Sequence, residues 1–363
     1  MRVTELDTPS LLVDLPRLTA NLERMAGYAR AAGLKLRPHT KTHKTPQIAK
    51  LQLTHGAAGL TVAKLGEAEV MADAGITDIF IANEIVGPQK IARLLELSRR
   101  AKVSVGVDSP EVAAPLSLSF VAEGRRLPVL IEVDLGLGRC GLKPDAAAPL
   151  AEHMNTLGGL ELVGVFGYAG QVYAARDEDE VAEVAAQEAR SLGKTGDNLR
   201  ALTQSEFRIS GGSTPTARHY HPACGLTEIR PGTYVFNDRM QLTRWSAQPA
   251  DCALTVLATV ISTPEPGRAV LDAGSKALGT DQGAGLVGYG VLKEDLNAVM
   301  ARVNEEHGVL DLTQASLTLR VGDKVEVIPN HCCVTVNLHD EMHIVRDGDV
   351  VETWPIAARG KMR

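Results

Sequence analysis

Short runs of β-branched and apolar residues alternate with stretches of helical periodicity between about residues 10 and 240, and this alternation constrains the fold most. The first unit is the strand-like segment LLVDL, whose Asp14 can cap a following helix that has Pro16 in its first turn. Further strands are predicted in the segments LKLRPHT, GLTVA, DIFIANE, KVSVGVD, PVLIEVDLG, LVGVFGYAG, FRISGG and EIRPGTYVF. About eight strands separated by helices are typical of parallel βαβ units, so we predict an α/β fold with a closed (β/α)8 TIM-like barrel.

The pattern changes after about residue 245. The segments CALTVLATVIST, GRAVLDAG, SLTLRVGDKVEVIPNHCCVTVNL and EMHIVRDGDVVETWPIAA are rich in β-branched residues and Gly-Asp turns, with little helical period. This pattern favours a separate C-terminal β domain that is mostly antiparallel. We therefore predict a barrel over residues 9–242 and a β domain that comprises residues 243–363 together with residues 1–8 and carries the metal-ligand pair.

Composition argues against several classes of function. The formal net charge is -6, and Lys and Arg do not cluster as a nucleic-acid or anionic-membrane surface would require. The opening segment MRVTELDTPS has no long apolar run, so we expect no signal peptide, and no later run reaches the ~20 apolar residues of a membrane span. The five cysteines include no CxxC pair, which favours a reducing, cytoplasmic location over a disulfide framework.

A basic segment, RPHTKTHK, ends the strand that begins at Leu34. In a parallel barrel, active-site groups lie at the carboxyl ends of the strands. Cationic neighbours lower the pKa of a lysine, which makes Lys41 a candidate nucleophile toward a carbonyl group. A solvated basic edge explains the same residues equally well at this point.

Two glycine-containing turns follow the last predicted barrel strands. Gly-Gly-Ser-Thr, ending in Ser213 and Thr214, can bring backbone N–H and hydroxyl groups close to a phosphate. Arg230, Gly232 and Thr233 form a second such turn, and late barrel strands commonly supply phosphate sites. A plain turn remains an alternative for either segment.

His331 and Cys333 lie in a segment that we predict to be a strand. Residues two apart in a strand point to the same side, so the imidazole and the thiolate could bind one ion while Cys332 faces away. This donor pair suits zinc best, and water, cofactor or substrate would have to complete the coordination. A buried cysteine beside a hydrogen-bonded histidine is the alternative.

Together these motifs resemble the fold-type III pyridoxal 5'-phosphate (PLP) enzymes, of which alanine racemase is the best-known member. They are most similar to the branch that contains D-threonine aldolase, D-serine dehydratase and D-threo-3-hydroxyaspartate dehydratase. The segments that carry the resemblance span nearly the whole chain: DTPSLLVDL, RPHTKTHK, GLTVAKLGEAE, GGSTPT, TEIRPGTYVFND, LDAGSKAL and PNHCCVTVNLHD.

The resemblance implies that Lys41 holds PLP covalently and that Arg139 and Tyr168 lie near the cofactor ring. Gln171 stands where many relatives have His or Asn near the substrate, so a polar, non-basic group replaces a base. The positions that match phosphate or pyridine contacts are Ser213, Thr214, Arg230, Gly232 and Thr233. The positions that match a divalent metal pair, for zinc, manganese or magnesium, are His331 and Cys333.

The resemblance further implies a homodimeric lyase that acts on small D-3-hydroxy amino acids. Retro-aldol cleavage to glycine and an aldehyde is the favoured reaction, and dehydration to a 2-oxo acid and ammonia is the alternative. Cys333 is typical of the dehydratases, whereas the VNLHD segment that follows is more similar to the aldolases. An amino-acid racemase or a non-catalytic PLP-binding protein would be a further, less favoured interpretation.

Overall fold

The computed structural model describes residues 1–203, 206–283 and 285–363. These residues form two compact units. The sheet unit comprises Met1–Glu23, Thr42–Thr45 and Thr233–Arg359, and the barrel unit comprises Arg24–Lys41, Pro46–Gly232 and Gly360–Arg363. In the described part of the chain, none of the helices combines the length and the apolar character that crossing a membrane requires.

Strands and helices are numbered here in chain order. The strands are β1 (Ser10–Asp14), β2 (Lys35–Leu36), β3 (Leu60–Val62), β4 (Asp78–Glu84), β5 (Lys102–Val107), β6 (Leu127–Val133), β7 (Leu160–Gly167), β8 (Arg208–Gly211), β9 (Glu228–Ile229), β10 (Leu254–Glu265), β11 (Arg268–Leu271), β12 (Gly290–Leu292), β13 (Val299–Val303), β14 (Gly308–Asp311), β15 (Lys324–Pro329), β16 (Glu341–Arg346) and β17 (Asp349–Pro355). The helices are α1 (Leu15–Ala31), α2 (Pro46–Thr54), α3 (Leu65–Asp73), α4 (Pro88–Leu97), α5 (Pro110–Ala122), α6 (Ala147–Asn155), α7 (Glu178–Arg200), α8 (Arg239–Leu242), α9 (Ser275–Leu278) and α10 (Cys332–Leu338).

The predicted parallel barrel is confirmed. Strands β2 to β9 form one sheet in the order β2-β9-β8-β7-β6-β5-β4-β3, in which every described pairing is parallel. A parallel bridge between His39 and Thr61 joins the two ends of this order, so the sheet closes on itself. Phe80 and Phe166 pack edge to face, with ring centroids 5.0 Å apart, in a buried cluster with Leu130. The barrel is therefore filled by side chains, as the fold requires.

Helix α7 places a polar side chain on a buried surface of the barrel unit. Asp177 caps it by accepting a hydrogen bond from the Glu180 N–H at 2.8 Å. Its buried side recurs at helical spacing through Val181 and Ala185 and includes Glu188. A carboxyl group on the apolar side of an amphipathic helix needs hydrogen-bond partners, and these lie in the candidate site described below.

Nine strands form the sheet of the sheet unit, in the order β11-β14-β13-β12-β15-β10-β1-β16-β17. The described pairings are antiparallel except that between β1 and β16, which confirms the predicted antiparallel C-terminal domain. The assignment of LLVDL to the barrel is wrong, because β1 pairs with β10 and β16 in this sheet. The units therefore do not follow the predicted division at residues 242 and 243, although Asp14 caps α1 through the Arg17 N–H as expected.

Residues 332–338 form the helix α10, and the predicted strand through His331 and Cys333 is wrong. The buried residues of this segment are Cys332, Thr335 and Val336, which recur at the spacing of a helix rather than in alternation. Thr335 Oγ1 donates a hydrogen bond to the Leu278 carbonyl at 2.8 Å, which ties α10 to the end of α9. The β-branched residues favour a strand locally, but this burial outweighs their preference.

Candidate active site

Lys41 follows β2 in the barrel unit, at the carboxyl end where the sequence places it. Its Nζ lies 5.8 Å from the centroid of the Tyr168 ring, and Tyr168 directly follows β7. The guanidinium carbon of Arg139 lies 5.5 Å from the centroid of the same ring. Three of the predicted site residues are therefore brought together around one aromatic ring, whose faces attract cations.

Gln171 lies in a short 3-10 helix, Gly170–Ala174, that begins three residues after β7. Its Nε2 donates a hydrogen bond to the Leu135 carbonyl at 2.9 Å. Its Oε1 is buried and faces no hydrogen-bond donor among the described residues. The side chain thus offers an acceptor but no basic group.

The glycine turn after β8 has a backbone that only glycine adopts easily. Gly212 has a φ of +80°, and a Cβ there would lie 2.9 Å from Cγ2 of Ile229. Ser213 and Thr214 follow and are buried. The Ser213 N–H donates to Thr216 Oγ1 at 2.9 Å, and the two hydroxyl oxygens lie 3.0 Å apart. The turn is therefore preformed and presents hydroxyl groups in a buried setting.

A buried carboxyl group that the sequence analysis did not single out supports this turn. Glu188 Oε1 accepts hydrogen bonds from the Gly212 N–H at 3.0 Å and the Ala169 N–H at 3.4 Å. Glu188 Oε2 accepts from the Tyr220 hydroxyl at 2.6 Å, and that hydroxyl lies 3.0 Å from Thr216 Oγ1. Burial raises the pKa of Glu188, although these hydrogen bonds oppose the change.

Arg230 and Gly232 leave β9, which pairs in parallel with β8, so both glycine-containing turns start at the same edge of the barrel. The Arg230 guanidinium donates to Ser210 Oγ at 2.5 Å and to the Gly167 carbonyl at 2.7 Å. Burial lowers the pKa of Arg230, while three surrounding glutamates oppose that shift. The arginine is thus a fixed cation inside the barrel. Thr233 belongs to the sheet unit, where its carbonyl accepts from the Asn237 N–H at 2.8 Å.

The predicted metal pair lies in the sheet unit, at the start of α10. His331 Nδ1 lies 3.1 Å from Asp238 Oδ2, and the imidazole also hydrogen-bonds the Cys333 side chain. Cys333 Sγ lies 3.2 Å from Thr42 Oγ1. The two predicted ligands therefore meet at the beginning of a helix, although the strand geometry expected for them is wrong.

The charges around His331 favour a cation there. Burial lowers the pKa of His331, but Cys333 and the Asp238 carboxylate raise it more, and the net pKa lies well above its ordinary value. Asp238 is fully buried and also accepts a hydrogen bond from the Cys332 N–H at 3.0 Å. A carboxylate on one imidazole nitrogen is the usual outer partner of a metal-bound histidine, so this donor set fits a divalent ion.

The barrel unit likewise fits a phosphorylated pyridine aldehyde. It provides an amine beside an aromatic ring, a buried arginine, and a preformed turn with two buried hydroxyl groups. Helices and turns of this kind bind phosphate through N–H and hydroxyl groups. Sequence reasoning found these residues but missed Glu188 and Tyr220, which support the turn, and Asp238, which contacts His331 in the sheet unit.

Comparisons with known proteins extend over the whole chain. Residues 13–240 match the model of the alanine racemase N-terminal domain, and residues 253–345 match a putative serine dehydratase domain. D-threonine aldolase of Arthrobacter sp. is 39% identical over 365 residues, covering 99% of this chain and 95% of the relative.

Two solved structures have the same fold as this chain. D-threonine aldolase from Filomicrobium marinum has a TM-score of 0.89 and 34% identity, covering 99% of this chain and 98% of that one. A mutant of D-threo-3-hydroxyaspartate dehydratase in the metal-free form has a TM-score of 0.91 and 31% identity, covering 98% of each chain. The chain therefore belongs to the alanine racemase-like family, in the branch that contains D-threonine aldolase and D-threo-3-hydroxyaspartate dehydratase.

Proposed function

We propose that the protein is a PLP- and divalent-metal-dependent lyase that cleaves D-3-hydroxy amino acids to glycine and an aldehyde. The observation that carries this proposal is the 39% identity to D-threonine aldolase over 99% of the chain. The arrangement of Lys41, Tyr168 and Arg139 supports it, because an amine held beside an aromatic ring suits a cofactor that binds covalently to lysine.

The barrel unit would hold PLP. When bound, PLP supplies an electron sink for the bond that breaks at Cα of the amino acid. Lys41 provides the amine that carries it, and Arg230 provides a cation, because an arginine side chain keeps its proton in proteins. Ser210 and the Gly167 carbonyl hold the Arg230 guanidinium in place. The hydroxyls of Ser213 and Thr214, with the backbone at Gly232, would donate hydrogen bonds to its phosphate.

Gln171 limits which residue can move the substrate's hydroxyl proton. An amide has no basic nitrogen, and Nε2 of Gln171 already donates a hydrogen bond to the Leu135 carbonyl. Its buried Oε1 can accept a hydrogen bond but cannot take up a proton at neutral pH. We therefore expect Gln171 to orient a hydrogen-bond donor, and another group must remove the proton of the substrate hydroxyl.

The sheet unit would hold the metal ion through His331 and Cys333. A divalent ion there would act as a Lewis acid for the β-hydroxyl oxygen of the substrate. Zinc suits an imidazole and a thiolate best, with manganese and magnesium as the other candidates. Asp238 holds Nδ1 of the His331 ring, so Nε2 would bind the ion, which would replace the hydrogen bond between the imidazole and Cys333.

Dehydration of the same substrates is the second candidate, with a 2-oxo acid and ammonia as products. It is favoured by Cys333, which is typical of the dehydratases at this position, and by the similarity to the solved dehydratase at 31% identity. A racemase is less favoured, since it needs a second base opposite the lysine and has no use for a metal.

Product analysis distinguishes these reactions. The purified protein, loaded with PLP and then with zinc, manganese or magnesium, is incubated with D-threonine, D-serine, D-threo-3-hydroxyaspartate, L-threonine and L-alanine. We expect glycine and acetaldehyde from D-threonine and no reaction with the L-isomer. Keto acid and ammonia without glycine would establish the dehydratase instead, and turnover of alanine to its mirror image would establish the racemase.

Metal dependence has its own control. Chelation and dialysis should abolish the activity, and added divalent metal should restore it. Cys333→Ser should show the same loss in the presence of metal, whereas Cys224→Ser, a thiol of the barrel unit, should not. Full activity after thorough chelation would contradict the proposed ion.

We also propose that the enzyme is a cytoplasmic homodimer, as implied by its resemblance to this branch. Sedimentation of the PLP-loaded protein measures the oligomeric state directly. A monomer with full activity would contradict the dimer.

A further inference from the structure

Two carboxyl groups and a thiol meet at the carboxyl ends of β4 and β6 in the barrel unit. Glu84 is the last residue of β4, Glu132 is the penultimate residue of β6, and Cys140 lies in the loop that follows β6. Their side chains each place an oxygen or sulfur atom within 4.8 Å of the others. The pairing of β4 with β5 shifts its register between Ile81 and Glu84, an irregularity of the kind that redirects side chains beside active sites.

The two carboxyl groups cannot both be charged at low cost. Glu132 is only 5% exposed, and Glu84 Oε1 is buried and faces no donor among the described residues. Burial, followed by the hydrogen bond to Glu84 and the charge of Glu84, raises the pKa of Glu132 to about 8, against the opposing charges of Arg139 and Arg230. At neutral pH the pair therefore keeps one proton between its two carboxyl groups and carries one negative charge.

The pair lies beside Arg139. The guanidinium lies 3.8 Å from Glu132 Oε1 and 5.5 Å from the Tyr168 ring, while 55% of the side chain is exposed. Its loop is shaped by Asp134, whose Oδ1 accepts hydrogen bonds from the N–H groups of Gly136 and Gly138 at 3.0 and 3.1 Å. A half-exposed arginine on a loop has many conformations, and an ion pair at its base selects one of them.

We propose that Glu84 and Glu132 form a proton-sharing carboxyl pair that positions Arg139 against Tyr168, and that neither glutamate contacts the substrate. The proposal rests on the proposed function, because Arg139 and Tyr168 are assigned there to the PLP site. Glu84 and Glu132 are positioning residues. Arg139 requires one negative charge beside its guanidinium, and either glutamate can carry that charge.

The remaining groups around the pair are consistent with a bound proton. Burial, together with Glu84 and Glu132, raises the pKa of Cys140, so this thiol is neutral near pH 7. The Asp108 carboxylate accepts the Gly141 N–H at 3.2 Å, and Arg230 is held by Ser210. A neutral thiol and a protonated carboxyl group are poor ligands for a cation.

The first experiment detects the proton shared by Glu84 and Glu132, in the protein without PLP. Infrared difference spectra between pH 6 and pH 9 should show loss of a protonated carboxyl band with a midpoint near pH 8. The band should be absent in Glu132→Gln and present in Glu123→Gln, an exposed glutamate paired with Arg99. Absence of the band in the unmodified protein, or its survival in Glu132→Gln, would overturn the proposal.

The second experiment measures the dissociation constant of PLP at pH 7 by fluorescence. Glu84→Gln and Glu132→Gln each leave one negative charge and should keep the affinity within about twofold, whereas the double variant should bind about fivefold more weakly, as expected for one partly exposed ion pair. Equal, additive losses in the two single variants would indicate simple packing and overturn the positioning role.

The two proposals fail in different ways. Suppose that the infrared band titrates as expected and the PLP affinities are non-additive, but the protein cleaves no D-3-hydroxy amino acid. That result would support the carboxyl pair and reject the lyase. Lyase activity in a protein without the band would reject the pair alone.

Discussion

The carboxylate of Asp238 lies 3.1 Å from Nδ1 of His331, so the residue that caps α8 also orients a predicted metal ligand. The same carboxylate group accepts hydrogen bonds from the Gln241 N–H and the Cys332 N–H, both at 3.0 Å. Each bond fixes the carboxylate, and the carboxylate fixes the imidazole. The predicted ligand His331 is therefore oriented before any ion binds.

Asp238→Asn is expected to weaken metal binding by about 10- to 100-fold, the usual effect of losing an outer partner of a ligating histidine. The amide lacks the negative charge that favours a cation at His331, although it can still cap α8. Competition with a chromophoric chelator measures the affinity.

Asp177→Asn is the matched control, because Asp177 also caps a helix but belongs to the barrel unit. Its metal affinity should equal that of the unmodified protein. An unchanged affinity in Asp238→Asn would contradict the orienting role.

Tyr220→Phe should destabilise the protein by about 1–3 kcal/mol, because it leaves the buried Glu188 Oε2 without its donor. The change removes one oxygen and keeps the ring, so packing is preserved. Urea unfolding of the PLP-free protein measures the free energy. Tyr28→Phe removes a hydroxyl from a half-buried tyrosine of α1 and should change stability by less than about 0.5 kcal/mol. Similar effects of the two substitutions would argue against a special role for the Glu188 network.

The ionisation of Glu132 should make stability depend on pH in a defined window. Its folded pKa of about 8 lies above the ordinary value of 4.5, so the folded chain binds this proton more tightly than the unfolded chain. Stability contributed by the protonated group is fully present below pH 4.5 and is lost progressively as pH rises from there through about 8. Glu132→Gln cannot ionise, so its free energy of unfolding relative to the unmodified protein should rise across this window, by at most ~1.4 kcal/mol per pH unit. A difference that is independent of pH would show that Glu132 is charged throughout.

The sequence predicts the barrel well because each of its strands is a distinct apolar run followed by a helix or turn. It misplaces β1 because an apolar run carries no information about which sheet it joins. Leu11, Leu12 and Val13 are all buried, which suits a central strand of either sheet. The helix α10 was missed because Val334 and Val336 favour a strand, although burial of Cys332, Thr335 and Val336 follows a helical period.

Among the site residues, the sequence identifies those that stand in distinctive local motifs, such as Lys41, Ser213 and His331. It misses residues that act from a distance in the chain, such as Glu188 and Asp238. One signal was present for Glu188, which interrupts the apolar side of α7 at helical spacing with a charged residue. No comparable signal marks Asp238, because its 93-residue separation from His331 is bridged only by the fold.

Mass mapping of the PLP-loaded protein after borohydride reduction tests the central claim most directly. Reduction fixes the cofactor to the amine that holds it, and we expect the added mass on Lys41 alone, with none in Lys41→Ala. Lys50→Ala, an exposed lysine of α2, should retain the modification at Lys41. Added mass on another lysine, or on no residue of a protein that still cleaves D-threonine, would contradict the account.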